Sequence, residues 1–268
     1  MSAPAISASL VKELRDQTGA GMMDAKRALV ETNGDFEAAR VLLRERGMAS
    51  AAKRAGRKTT EGIVLLKVEE GLGSLVAIGC ETEPVSKNDE FRAFAEHVLD
   101  AAFSTYLAQH VDRLEEERTD LIAKIGENVT VVGTVTFEAV EGGVIEGYVH
   151  PPANKLGVLV QLRGGDRGLA RKVAMHIAAA AAQWIGREDV PEDVVTAERE
   201  IYANSDEVLS KPEQAREKIV EGMLNKRFFA AQVLNEQSWI HDATKTVGQA
   251  LADEGAEVLE FERFALAG

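Results

Sequence analysis

A single cysteine, Cys80, stands in 268 residues, so no internal disulfide framework is available and a reducing compartment suits the chain. No stretch approaches the roughly 18 uninterrupted apolar residues of a membrane span; the Ala-rich run from Ile177 to Ile185 is short and holds Gln183. The opening, MSAPAISASLVKEL, has no basic leader ahead of a long apolar stretch, so no signal peptide is expected. Positive charge is short: 31 Lys and Arg face 44 Asp and Glu, a net charge of −13. A broad basic face for nucleic acid is therefore not expected, nor is a membrane partner. Among His97, His110, His150, His176 and His241 no pair has the i, i+4 spacing of a helical metal site, and no metal or cofactor is expected. There is no Walker loop, no GxGxxG after a strand and no GxSxG elbow.

What is there is globular. Apolar residues make up 45% and charged residues 28%, enough to build a core. The length suits one large domain or two to three small ones, and a cytoplasmic protein is expected. Charge is divided unevenly. Residues 1–58 hold 11 Lys and Arg against 7 Asp and Glu, whereas the remaining 210 residues hold 20 against 37. Two bodies with different surfaces fit that division.

The first body reads as three short helices over residues 1–47. Ser9 is placed to cap the first, which stops at Thr18-Gly19-Ala20-Gly21; Met22, Ala25, Ala28 and Leu29 recur at helical spacing in the second. Asp35 is placed to cap the third, closed by Gly47. Residues 48–61 read as a helical or loose linker. A hairpin follows from Gly62 to Cys80, then helices over Asp89–Ala102 and Val111–Ile125, and strands over Thr130–Phe137 and Val144–Val149. A similar order recurs after residue 150: a strand at Gly157–Leu162, a turn at Gly164-Gly165-Asp166 and a helix over Leu169–Ile185. Ala95-Glu96-His97-Val98 resembles Ala174-Met175-His176-Ile177, which suggests two related halves, 62–150 and 151–268, with both histidines in the core. Pro191–Leu209 and Pro212–Phe229 read as an antiparallel helical hairpin, and the chain closes with a helix at Thr246–Glu254 and a strand at Val258–Ala265.

Few residues point to chemistry. The Glu115-Glu116-Glu117 run reads as a solvated helix face, and the basic set Lys53, Arg54, Arg57 and Lys58 suits either a solvated linker or an acidic partner. Neither Cys80 nor His150 is paired in the sequence with a base or nucleophile, so an enzyme built on them is a remote reading. Two segments stand out. One is LRDQTGAGMMDAKRAL, residues 14–29, where Met22 and Met23 at a helix start offer adaptable apolar surface or fill a core. The other is Cys80 to Phe91, which either presents a binding segment or is an ordinary capped strand-to-helix connection.

These segments resemble the translation elongation factor Ts family. The first is similar to its LRxxTGxGxxDCKxAL signature, with Ala25 at the usual cysteine; the second is similar to its TDFVAKN-type signature. Ile122-Ala123-Lys124-Ile125-Gly126-Glu127-Asn128, Ala174 to Ala179 and Phe261-Glu262-Arg263-Phe264 extend the likeness, in family order, along nearly the whole chain. The resemblance implies an α+β fold: a UBA-like three-helix N-terminal domain, a two-part α+β core, and an inserted antiparallel helical hairpin at 191–229. It implies a guanine-nucleotide exchange factor for elongation factor Tu, without covalent chemistry, with a non-exchanging adaptor as the alternative. The implied contacts with elongation factor Tu are Met22, Met23 and Lys26, then Thr82, Glu83, Pro84 and Val85, then Ile125 and Gly126, and His150. Where the family usually has Asp-Phe, this chain has Glu83-Pro84, which keeps the charge and loses the aromatic wedge. A homodimer through the hairpin, using apolar positions such as Val194, Ile201 and Val208, is a further expectation.

Overall fold

The computed structural model describes residues 6–104 and 107–266. Three helices come first: α1 (Ala8–Thr18), α2 (Met22–Glu31) and α3 (Phe36–Arg54). Ser7, not Ser9, caps α1, its hydroxyl accepting from the Leu10 amide at 3.2 Å. Gly19 ends that helix at φ 68°, a left-handed conformation that a side chain would strain. Val11, Leu14, Ala25, Ala28, Leu29 and Ala39 form the small core of this module. The expected stop at Gly47 does not occur. The helix runs on to Arg54, because Gly47 serves as a contact: a Cβ there would lie 3.2 Å from the Ala123 methyl. A missing side chain in mid-helix lets a second helix approach, and the sequence signal of a stop is the same residue.

The core then folds as two three-stranded antiparallel sheets. The first contains β1 (Glu61–Glu69) and β2 (Leu72–Cys80), followed by α4 (Glu83–Ser86), α5 (Asp89–Phe103), α6 (Leu107–Ile125) and β3 (Val129–Glu138). The second contains β4 (Gly143–Val149) and β5 (Leu156–Arg163), then α7 (Arg167–Ala180), and finally β6 (Glu257–Ala265). Strand order is β1-β2-β3 and β4-β5-β6, so the central strands are β2 and β5.

Alternation along the central strands explains the layering. Val76, Ile78 and Cys80 face α5 and α6, where they meet Phe91, Phe94, Val98 and Ile122. Leu75 and Ala77 face the other way, onto Ile145 and Leu159 of the second sheet. In β5, Val158, Val160 and Leu162 pack on α7. The two sheets therefore lie face to face, with a helical layer outside each. Glycines allow the close approach: Cβ atoms at Gly73 and Gly157 would fall 2.6 Å from Ile145 Cγ2 and 2.5 Å from Val64 Cγ1.

Between α7 and β6 lies the helical region, with α8 (Glu192–Ala203), α9 (Asp206–Leu209), α10 (Glu213–Met223), a π-turn over Leu224–Phe229, and α11 (Ala230–Gln232). Two sequence expectations change here. α7 ends at Ala181, in a left-handed conformation, because Gln183 and Trp184 leave the helix to donate to the Gln232 carbonyl. The first long helix breaks at Asn204-Ser205, and Glu207 beyond the break pairs with Arg227 at 2.9 Å. Arg199 pairs with Glu221 at 3.0 Å, so α8 lies against α10. Val208 is buried in the local core with Val220, Met223 and Phe228, and Val194 packs on that core; Ile201 stays 61% exposed. The last elements are α12 (Val247–Asp253), capped reciprocally by Thr246 and Gln249, and β6 (Glu257–Ala265).

Candidate functional site

Three of the four segments singled out in the sequence meet at the end of the first sheet. The β2–β3 ladder finishes at the pair Cys80 and Val129. Immediately beyond it, the chain after β2 forms Thr82 and the one-turn helix α4, with Glu83 and Pro84 in its first turn, where proline's missing donor costs no hydrogen bond. Thr82, Glu83 and Pro84 are exposed, Val85 is half-buried against the first core, and Ser86 is buried with its hydroxyl donating to the Glu83 carbonyl at 2.7 Å. Asn88 then caps α5, its side-chain oxygen accepting from the Glu90 and Phe91 amides at 2.9 and 3.1 Å. The hydrogen bond and charge of Lys87, 2.8 Å away, hold the Glu83 carboxyl below its ordinary value.

The second segment is the end of α6. Gly126 leaves the helix at φ 82°, its amide donating to the Ile122 carbonyl at 2.9 Å, and nothing crowds the space a side chain would occupy. It is joined to the first segment by Glu127, whose carboxylate accepts from the Thr82 amide at 3.0 Å and from the Thr82 hydroxyl at 2.6 Å.

His150 lies past the end of β4 in a turn with a cis Pro151-Pro152 bond, and its Nδ1 is 2.7 Å from the Tyr148 hydroxyl. That turn is tied to β1: the Val64 amide donates to the Asn154 carbonyl at 2.6 Å, and Lys155 forms an ion pair with Glu61, the register partner of Cys80. His150 thus belongs to the same end of the molecule.

Met22, Met23 and Lys26 are all exposed on α2, so neither methionine fills the module core. The turn before α2 lies against the last turn of α6, where a Cβ on Gly19 would meet Lys124 Cδ at 3.0 Å. Farther along, the module meets α6 through the Arg44–Glu116 ion pair and the Gly47–Ala123 contact, beside a cleft of about 620 Å³ that Arg40, Arg54 and Asp120 help to line.

Cys80 is buried under this site. Its thiol donates to the Thr82 carbonyl at 3.3 Å, and burial, with the Glu127 and Glu61 carboxylates nearby, pushes its pKa up to about 12. A thiol held protonated at neutral pH is a poor nucleophile. The two core histidines expected from sequence part company. His176 is fully buried, 2.9 Å from the Gln237 side-chain oxygen, and burial lowers its pKa. His97 is on the surface, paired with Glu117 at 2.6 Å, because its helix face looks to solvent. Among the described residues no group of three His, Cys, Asp or Glu side chains is placed to hold a metal, and no helix is long and apolar enough to cross a membrane.

Glu81, Glu127 and Asn128 were not named among the implied contacts, and Arg57 was read only as part of a basic set suited to a solvated linker or an acidic partner. Glu81 accepts from the Asn128 amide at 2.6 Å and from the Arg57 guanidinium at 3.3 and 3.4 Å. The signal for the glutamates was their place inside marked stretches: Glu81 lies within Cys80 to Phe91 and Glu127 within Ile122 to Asn128.

The structure is thus an α+β scaffold that gathers exposed loop segments at one end, with a small helical module beside it. A family model described as Elongation factor TS matches residues 81–268. The elongation factor Ts of Idiomarina loihiensis is 43% identical over 97% of this chain and 90% of its own length. That of Thioalkalivibrio sulfidiphilus is 42% identical over 97% and 91%, and that of Pasteurella multocida 43% over 97% and 91%. The chain belongs to the elongation factor Ts family.

Proposed function

We propose that this chain is a guanine-nucleotide exchange factor for elongation factor Tu, working in the cytoplasm without covalent chemistry. The observation that carries the proposal is the exposed Glu83-Pro84 turn held beside Ile125-Gly126, with His150 at the same end and the outward Met22, Met23 and Lys26 on the adjoining module. In this reading residues 1–47 are a UBA-like docking domain, 48–61 join it to the core halves 62–150 and 151–268, and 191–229 form a protruding hairpin.

The mechanism is linkage. A protein that binds the empty GTPase more tightly than the GDP form weakens GDP by the same factor by which GDP weakens it. Magnesium and phosphate contacts carry much of a nucleotide's affinity, so a contact that disturbs their surroundings accelerates release. Incoming GTP expels the factor by the same relation.

The test is release of a fluorescent GDP from elongation factor Tu. Addition of the full chain is expected to accelerate it, and an unchanged release rate would overturn the proposal. Because the aromatic wedge is already absent, Pro84→Ala is expected to leave the rate within about twofold, whereas Pro84→Phe is expected to raise it.

The second reading, a non-exchanging adaptor, is favoured by Pro84 alone. It requires tight binding of the GTPase with the GDP off-rate unchanged, which the same titration reads. A homodimer through the helical region is the smaller part of the proposal: with Val208 buried within the chain, Ile201 and Leu209 remain as its outward apolar contacts.

A further inference from the structure

Strand pairing holds β2 to β3 only as far as Cys80 and Val129. One and two residues farther, no ladder bond fixes where the Thr82–Val85 segment sits relative to Gly126, yet the two are tightly joined. The join is reciprocal. The Glu81 carboxylate accepts from the amide of Asn128, the residue after Glu127, at 2.6 Å; the Glu127 carboxylate accepts from the amide of Thr82, the residue after Glu81, at 3.0 Å. Each bond is charge-assisted, and Glu127 makes a second to the Thr82 hydroxyl at 2.6 Å. The clasp also reaches the segment leading from α3. The buried Asn128 side-chain amide nitrogen donates to the Arg57 carbonyl at 2.9 Å and the Ala55 carbonyl at 3.5 Å, while the Arg57 guanidinium returns to Glu81.

We infer that Glu81 and Glu127, with Asn128 and Arg57, are positioning residues: they preset the relative placement of the two core contact segments and of the chain that brings in the N-terminal module, without touching the partner themselves. The inference rests on the exchange reading above. Its physical basis is preorganisation. A contact turn already held in place loses little freedom on binding, so its side chains contribute to affinity undiminished. Released from the clasp, Glu83 and Pro84 have the same chemistry but must be ordered at each encounter. The loss then falls on affinity for the GTPase, and the maximal rate of GDP release from the assembled complex is retained.

The experiment uses the full chain and two variants, Glu127→Ala and Glu127→Gln, in GDP release over a range of factor concentrations. Gln keeps both bonds, since its amide oxygen accepts from the Thr82 amide and its NH₂ donates to the Thr82 hydroxyl. The half-saturating concentration of Glu127→Ala is expected to rise about tenfold with an unchanged maximal rate, and that of Glu127→Gln to stay within about threefold of the parent. Amide hydrogen exchange across Glu83–Lys87 is expected to quicken in Glu127→Ala while β2 stays protected. The inference is overturned by an unchanged half-saturating concentration in Glu127→Ala, by a fall in maximal rate alone, or by Glu127→Gln failing as badly as the alanine variant. If the parent chain itself does not accelerate GDP release, the exchange reading fails. Hydrogen exchange then decides the clasp, and unchanged protection of Glu83–Lys87 in Glu127→Ala overturns it.

Discussion

In the first half of the core, the central strand β2 passes into α5 through residues 81–88, which include α4; in the second half, β5 passes into α7 through only Gly164-Gly165-Asp166. The frames are otherwise alike. Each has three antiparallel strands with the second in the middle, and each has a helix covering the outer face that starts on an Asn or Asp cap. In the second half, Gly164 and Gly165 at φ 74° and 71° turn the chain at once into the helix, and Asp166 accepts from the Leu169 amide at 2.8 Å. In the first half the extra residues stand out from the sheet and are held by side chains. One connection is as short as geometry allows, while the other carries the exposed turn. A repeated frame thus carries an exposed turn in one of its two strand-to-helix connections and a bare glycine turn in the other.

The same asymmetry appears on the helices. His97 and His176 sit in matching phrases, yet the first is exposed beside Glu117 of α6 while the second meets Gln237 and Trp239, because residues 234–246 cover α7.

The comparison breaks most readily at the plane where the sheets meet. Gly157→Val puts its Cβ 2.5 Å from Val64 Cγ1, and Gly73→Val puts its own 2.6 Å from Ile145 Cγ2. Each is expected to lower unfolding stability by about 3 kcal/mol in urea titration, and a loss confined to one of them would show that the two faces are not equivalent. Next in size, His176→Ala is expected to cost about 2 kcal/mol by leaving a cavity and an unpaired Gln237 oxygen, against less than about 0.5 kcal/mol for the exposed His97→Ala. The smallest effect is in pH. Burial holds the folded pKa of His176 below its ordinary 6.5, so below pH 6.5 the unfolded chain binds the proton first. This contribution is complete above 6.5 and is lost as pH falls from there through the lowered folded value, with a slope of at most about 1.4 kcal/mol per pH unit. Urea midpoints of the parent and of His176→Gln across that range are expected to converge toward acid, and parallel curves would contradict it.

Much of this was legible in the sequence where the cause is local. The Asp35 cap, the hairpin from Gly62 to Cys80 and the four later strands follow from neighbours in the chain. What was not legible depends on residues far apart. Gly47 reads as a helix stop until Ala123 is seen against it, and α7 ends early because Gln232 takes the Gln183 and Trp184 amides. The break at Asn204 follows from where α9 finds Arg227. At the candidate site the exposed residues were marked by the family resemblance, but the glutamates that join them lie 45 and 47 positions from the amides that donate to them, and no local periodicity encodes that pairing.

The depth of Cys80 has a practical consequence. A sulfhydryl that stays protonated and out of solvent leaves the natural chain nearly silent toward maleimide and iodoacetamide dyes at neutral pH. A new cysteine in place of the outward Met23 would then be tagged alone, with no need to delete the native one. A fluorophore there would report on the surroundings of α2 alone, on a background that chemistry has already cleared.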